Sequence, residues 1–151
     1  MLTVAEETPL QDAVTVLLRH SDAVAAALYP GAYRRPIDPS ALAVPGVTVL
    51  VARAMGEAVG FCALFDLGDG AAELKRMIVL PSARGQGVGA ALLDAAEAAA
   101  RQRGFTAIRM EVGIRNTEGQ ALYRRAGYRE RGPFGMYRPD PISLFFEKSM
   151  V

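Results

Sequence analysis

The chain has 151 residues, a formal net charge of +1 and 51% hydrophobic residues. That length builds a core without metal or disulfide support and reads as one domain, residues 1–151. A charge near zero gives no electrostatic case for nucleic acid or an anionic membrane as partner.

Acidic residues gather early (Glu6, Glu7, Asp12, Asp22, Asp38) and arginines late (Arg124, Arg125, Arg129, Arg131, Arg138). The single cysteine, Cys62, excludes an internal disulfide and suits a reducing compartment. Between Phe61 and Ala63-Leu64-Phe65 it reads as a buried structural thiol. The start of the chain lacks a basic n-region and a long apolar run, and no stretch has the length of a membrane span. The expected location is the cytoplasm.

In chain order, Leu2 to Glu6 suits a short strand. Thr8 before Pro9 is a cap signal, with Leu10, Val14, Leu17 and Leu18 at helical spacing. Ser21 and Asp22 offer a second cap, so two successive helices are expected, with His20 near their junction in a structural role. Pro30 to Pro45 carries four prolines and reads as a loop, with Tyr33, Arg34, Arg35 and Asp38 in it, either the wall of a binding site or a solvated connection. Val47 to Arg53, Val59 to Phe65 and Ala72 to Leu80 are strands joined by short turns, a meander.

A glycine-rich loop follows Pro81, then a helix from about Gly87 to Arg103 with Gly104 as terminator. Phe105 to Val112 is a strand that, after a full helix, can lie parallel to the one before the loop. Thr117 with Gln120 fits a capping box for a further helix that Gly127 stops. Tyr128 to Arg131 and Ile142 to Lys148 close the chain. The order β-αα-βββ-α-β-α-ββ predicts an α+β fold around a mixed, mostly antiparallel sheet.

Strand, glycine loop and helix together form a phosphate-holding device, because the loop exposes backbone N–H groups and the helix adds its positive N-terminal end. The loop is not a nucleoside-triphosphate P-loop, since no Lys-Ser/Thr pair follows its glycines. Nor is it a dinucleotide fingerprint, since Gly85-Gln86-Gly87-Val88-Gly89 is G-x-G-x-G. What remains is Arg84-x-x-Gly87-x-Gly89, glycines that let a backbone close on an anion beside a guanidinium.

Arg84-Gly85-Gln86-Gly87-Val88-Gly89-Ala90 resembles the R/Q-x-x-G-x-G/A motif of the GCN5-related N-acetyltransferases (GNAT). A second segment agrees: Asn116, Ala121-Leu122-Tyr123 and Gly127-Tyr128 resemble that family's N-x-x-x-x-A-L-Y-x-x-x-G-F/Y signature. The likeness covers roughly residues 72–131, and the element order fits the family fold throughout.

The resemblance implies an enzyme that moves an acetyl group from acetyl-coenzyme A to a primary amine of a small molecule or peptide, by direct attack in a ternary complex. No metal is expected; the charge near zero argues against a nucleic acid or membrane partner, and the chain is expected as a monomer or as a homodimer whose late strands pair across a two-fold. A coenzyme A-binding regulatory module without turnover is the alternative. By the same resemblance the backbone of Met77, Ile78 and Val79 would bind the pantetheine arm, with an N–H at Ile78 or Val79 polarising the acetyl carbonyl. Arg84 and the N–H groups of Gly85, Gln86, Gly87, Val88, Gly89 and Ala90 would take the pyrophosphate. Tyr123 matches the family's general acid, or packs its helix on the sheet. Asn116 contacts the cofactor arm, or caps its helix.

Glu73 stands where several family members keep a catalytic glutamate. Strand alternation would put Glu73, Lys75, Met77 and Val79 on one face, and Lys75 would lower the Glu73 pKa. Its other reading is an exposed ion pair with Lys75, and Glu111 on the neighbouring strand is the second candidate base. The acceptor pocket would be walled by the early helices, the Pro30 to Pro45 loop and the segment from Gly132 to Pro141, the parts least tied to any motif; Arg34, Arg35 and Arg138 tilt it towards carboxylate-bearing amines.

Overall fold

The structure, a computed structural model, describes residues 1–29 and 37–151. Its seven strands are β1 (Leu2–Glu6), β2 (Val47–Ala54), β3 (Glu57–Asp66), β4 (Ala71–Val79), β5 (Ala107–Gly113), β6 (Arg129–Arg131) and β7 (Ser143–Ser149). They form one sheet in the order β1-β2-β3-β4-β5-β7-β6. The helices are α1 (Asp12–Leu28), α2 (Val88–Gln102) and α3 (Thr117–Arg125). This is the expected α+β class, and β4–β5 is the one parallel pairing among the described strands.

The meander forms because β-rich runs are punctuated by residues that tolerate positive φ. Met55 and Gly56 (φ 54° and 83°) turn β2 into β3, the backbone pattern that matches the twist of a hairpin. The β4–α2–β5 unit supplies the parallel pair, since only a crossover of helix length lets two strands run the same way.

The early segment departs from expectation. The two successive helices are a single helix, α1, running unbroken from Asp12 to Leu28. No glycine or proline interrupts that stretch. Asp22 does not cap a second helix, because its carboxylate is held by the Arg76 guanidinium at 2.6 Å. Thr8 caps a turn, its hydroxyl accepting from the Leu10 N–H, and the helix begins three residues later than Pro9 suggests. Tyr33, Arg34 and Arg35 lie outside the described residues; Asp38 caps a short 3-10 turn, Pro39–Leu42, by accepting from the Ser40 N–H.

Two apolar layers sandwich the sheet. On one face α1 buries Val14, Leu17 and Leu18 against Val49, Val51, Phe61, Ala63 and Ile78. On the other, α2 buries Val88, Leu92, Leu93 and Ala96 against Leu50, Cys62, Leu64, Leu74 and Ile108. Each fully buried leucine contributes about 1.5–3 kcal/mol. Gly60 on β3 lets α2 approach, since a Cβ there would stand 2.8 Å from Val88 Cγ1. Among the described residues no helix is long and apolar enough to cross a membrane.

Candidate active site

β4 and β5 pair only at Ala71–Glu73 with Ala107–Arg109, and beyond Glu73 they part. The cause lies in β4. Its pairing with β3 slips between Phe61 and Ala63, and Arg76 takes a positive φ of 60°. An extra residue in one strand bends it and sharpens its twist. A non-glycine residue in the left-handed region costs about 1–2 kcal/mol, and the Arg76–Asp22 ion pair helps to hold it.

This bulge corrects the face assignment made from alternation. Glu73 and Lys75 lie on the α1 face, opposite Phe65 and Ala63, but past the bulge it is Ile78 and Leu80 that pack on that face. Met77 and Val79 pack on the α2 face with Leu74. Glu73, Lys75, Met77 and Val79 therefore do not share a face. Beyond the bulge, strand alternation sends the two candidate N–H groups to opposite edges. Leu80 N–H donates to the Val59 carbonyl, so by alternation Ile78 N–H also points to β3, whereas Val79 N–H points to the open edge.

Where the strands part, a cavity of about 360 Å³ opens. Glu73 and Glu111 line it from β4 and β5, the C-terminal end of α1 (Val24, Ala25, Leu28, Tyr29) covers it, and Tyr137 closes one side. Glu73 is 4% exposed, so it is not an exposed Glu–Lys pair. Its Oε2 accepts a 2.6 Å hydrogen bond from the Tyr137 hydroxyl, and its Oε1 lies 3.8 Å from Lys75 Nζ. Burial raises the Glu73 carboxyl above the ordinary carboxylate range. Tyr137 and Lys75 pull it down by less, and Glu111 adds to the rise. The expected lowering by Lys75 is thus present but outweighed. Glu111 accepts a 2.7 Å hydrogen bond from Ser143 Oγ.

On the far side of the gap a second cavity, of about 540 Å³, runs along the glycine loop and α3. Arg84, Gly85, Gly87, Val88, Gly89 and Ala90 line it, as do Met77, Ile78 and Val79. Gly85 and Gly87 hold φ of 77° and 79°, and a Cβ on either would meet nothing within 4 Å. These two glycines are required by backbone conformation and face open space. Gly89 is different: a Cβ there would stand 2.9 Å from Leu122 Cδ2, so the third glycine serves helix packing. Gln86 does not line the cavity, and its side-chain amide donates to the Ser82 carbonyl at 3.4 Å. Arg84 is half exposed, 3.9 Å from Glu118.

α3 joins the two cavities. Asn116 is its N-cap, Oδ1 accepting from the Gly119 N–H at 3.0 Å, which replaces the expected Thr117–Gln120 capping box. Gln120 instead donates to the carbonyls of Gly113 and Ile114. Asn116 and Tyr123 line both cavities, together with Val24, Met77 and Ile78. Tyr123 is buried, its ring against Tyr128 and Phe146. Burial, with the nearby Cys62 thiol, pushes its phenol up, so it keeps its proton. Glu73 and Tyr123 thus belong to opposite faces of the sheet and meet at the gap between β4 and β5.

Sequence reasoning placed the early helices and the segment from Gly132 to Pro141 at the acceptor pocket, as found, but singled out neither Tyr29 nor Tyr137. Tyr29 sits on Gly113, where any Cβ would collide with its hydroxyl, and that hydroxyl accepts from the Arg115 N–H. No motif marks either tyrosine; the glycine at 113, opposite a helix end, was the one available signal. Cys62 is fully buried with its thiol pushed up to about 12, which removes it as a nucleophile. Among the described residues no group of three or more His, Cys, Asp or Glu could hold a metal.

Comparison with known proteins agrees with this architecture. The family model described as Acetyltransferase (GNAT) family matches residues 17–128. A protein of Azospirillum brasilense named IAA acetyltransferase is 44% identical over 150 residues, 99% of this chain and 98% of that protein. A solved structure from Klebsiella pneumoniae, assigned as an acyl-CoA N-acyltransferase, superposes with a TM-score of 0.85 at 36% identity, covering 100% of this chain and 99% of that one. At 20% identity the fold extends to the PaiA N-acetyltransferase of Thermoplasma acidophilum, solved in complex with coenzyme A, with a TM-score of 0.76 and 99% of both chains covered. By sequence and by fold, the chain belongs to the GNAT family of acetyltransferases.

Proposed function

We propose that the protein is an acetyl-coenzyme A dependent N-acetyltransferase, acting as one catalytic unit over its whole length. It acetylates a primary amine of a small molecule or peptide by direct attack, with both substrates bound together. One observation carries this reading. The gap between β4 and β5 has a buried carboxylate on one face and a buried phenol on the other, and it opens into a cavity walled by the glycine loop.

The residues present fit the cofactor. Gly85 and Gly87 front open space at the start of α2, where an anion would gain from backbone N–H donors and from the helix end. Arg84 lies beside them, and among the described residues it has no tighter ion-pair partner than Glu118 at 3.9 Å. When bound, acetyl-coenzyme A supplies an activated acetyl thioester. Arg84 and the loop would hold its pyrophosphate, and the open edge of β4 would pair with its amide-bearing arm.

The chain's own groups account for the proton movements. Glu73 Oε1 receives the proton of the acceptor ammonium, and its raised pKa makes it a stronger base than an ordinary carboxylate. The Val79 N–H, on the open edge, polarises the acetyl carbonyl. Tyr123 Oη, protonated at rest because it is buried, gives its proton to the departing sulfur, and the second proton released by the acylated nitrogen replaces it. Transfer is direct because Cys62 cannot form a thiolate there.

The acceptor side carries Glu73 and Glu111, and Arg138 does not line it. The tilt towards carboxylate-bearing amines therefore loses one of its three arginines, and the other two lie outside the described residues. Lys75 and Arg76 line the same cavity, so its charges balance, and the preference for an acceptor that arrives as an ammonium rests on the buried Glu73.

Calorimetry with acetyl-coenzyme A, followed by thiol-release assays on a panel of primary amines, tests this reading. Binding with thiol release on at least one amine is expected. Binding without release on any of them would leave a cofactor-binding module, and no binding would overturn both.

A further inference from the structure

Tyr137 lies on the connection between β6 and β7, 64 residues from Glu73, and its hydroxyl donates to Glu73 Oε2 at 2.6 Å. Its ring is fixed independently of that bond. Phe134 meets it edge-on at 5.1 Å between centroids, Phe145 packs at 5.4 Å, and the Tyr137 N–H donates to the Phe134 carbonyl. Phe145 faces the same side of the sheet as Glu111, its register partner on β5. The β6–β7 connection therefore folds over the α1 face and reaches across β5 to touch β4.

We propose that Tyr137 is the positioning residue for Glu73: its hydroxyl pins Oε2, so that Oε1 is the oxygen presented to the acceptor amine. This rests on the reading of Glu73 as the general base. A carboxylate on a flexible stem is an effective base only when one oxygen is held within reach of the proton it takes. A short hydrogen bond from a rigid aromatic donor does this at small entropic cost.

The groups around Glu73 make the effect separable. Lys75 from β4 and Glu111 from β5 face it, with Arg109 beside it in register. Arg109 is occupied by Asp69 and Glu147, and Arg76 by Asp22 on α1. From α1 the cavity receives Ser21 and Tyr29, and from α3 Tyr123. Among these, Tyr137 is the neutral donor bonded directly to the carboxylate, and it favours the charged form. Removing its hydroxyl leaves burial less opposed, so the carboxyl titrates at higher pH.

The test compares wild type, Tyr137→Phe and Glu73→Gln. Tyr137→Phe keeps the ring contacts, and unchanged acetyl-coenzyme A affinity together with a wild-type circular dichroism spectrum and a cooperative melt checks the fold. In carbon-13 NMR, the Glu73 side-chain carboxyl should titrate at higher pH in Tyr137→Phe. With whichever amine of the panel releases thiol fastest, the acidic limb of kcat/KM should move the same way. On that limb the loss should be about ten-fold, larger than the positioning loss that remains on the high-pH plateau, as expected for one hydrogen bond to a charged group. A Glu73 titration unchanged by Tyr137→Phe overturns the proposal, as does a loss of equal size at every pH. If the titration moves in Tyr137→Phe but Glu73→Gln keeps the acidic limb, it is the general-base reading that fails, and the positioning role falls with it.

Discussion

The two faces of the sheet build their halves of the site from different material. On the α2 face the site is mostly backbone: Gly85 and Gly87 with positive φ, a helix N-terminus, and the unpaired edge of β4. On the α1 face it is side chains brought from distant places, Glu73 from β4, Glu111 from β5, Tyr137 from the β6–β7 connection and Tyr29 from the end of α1. A backbone device suits a handle common to every reaction, because its shape depends on the chain's course and not on any one group. A side-chain device suits the variable partner, because each contributor can be exchanged without disturbing the sheet.

If that division holds, variants on the two faces should separate chemistry from cofactor affinity. Glu73→Gln should give the largest effect, lowering kcat by about 10²–10⁴-fold with little change in acetyl-coenzyme A affinity. It should also stabilise the protein at neutral pH. The folded pKa of Glu73 is raised above its unfolded value, so its contribution is fully favourable below the unfolded pKa and is lost as pH rises through the folded one. Glutamine carries no such penalty. Thermal melts should show Glu73→Gln more stable than wild type at about pH 8, with the gain gone at about pH 4. Equal stability at both pH values would mean that the carboxylate is not buried as described.

Gly87→Val should come next, with the opposite signature. At φ 79° a valine strains the backbone by about 1–3 kcal/mol and places methyl groups in the open space before the loop. Acetyl-coenzyme A affinity should fall by at least about ten-fold, read by calorimetry. If affinity survives while kcat collapses, the glycine loop is not the handle.

Gly89→Ala divides the motif itself. Its new Cβ would press on Leu122, so the cost should appear as stability, about 1–3 kcal/mol as for other overpacked sites. Leu122→Ala in the same chain should recover part of it. Gly85 and Gly87 have no such neighbour, and a melt in which Leu122→Ala rescued Gly87→Val equally well would erase the distinction between ligand-facing and packing glycines.

The same contrast explains what could be read from the sequence. A backbone device needs particular residues at fixed local spacing, so Arg84, the three glycines, Asn116 and Tyr123 stood out in order, as did the meander and the β4–α2–β5 unit. The third glycine's reason was hidden, because Leu122 meets it only after α2 and α3 pack. Tyr137 and Glu73 are 64 positions apart and follow no periodicity. The bulge at Arg76 left no mark because an arginine occupies the left-handed conformation usually given to glycine. Without it, simple alternation mis-sorts every residue of β4 beyond Lys75. The continuity of α1 was masked for a related reason: Asp22 reads locally as a cap but is claimed by that same Arg76.

The smallest effect expected concerns how the handle is kept ready. Arg84 lines the glycine-loop cavity at the loop itself, with Arg125 of α3 also on its wall, and Glu118 at the start of α3 stands 3.9 Å from Arg84. Both side chains are largely exposed, 48% and 80%, so the pair is screened by solvent and worth little to folding. It still competes with a phosphate for the guanidinium. Glu118→Gln should therefore leave the melting temperature unchanged and tighten acetyl-coenzyme A binding by about two- to five-fold at low ionic strength. The gain should fade as salt shortens the screening distance to about 8 Å and below. Calorimetry at two salt concentrations reads it. Weaker binding in Glu118→Gln at low salt would mean that Glu118 holds Arg84 in its phosphate-binding position, and the α3 end would then belong to the handle as a side-chain component of a face otherwise built from backbone.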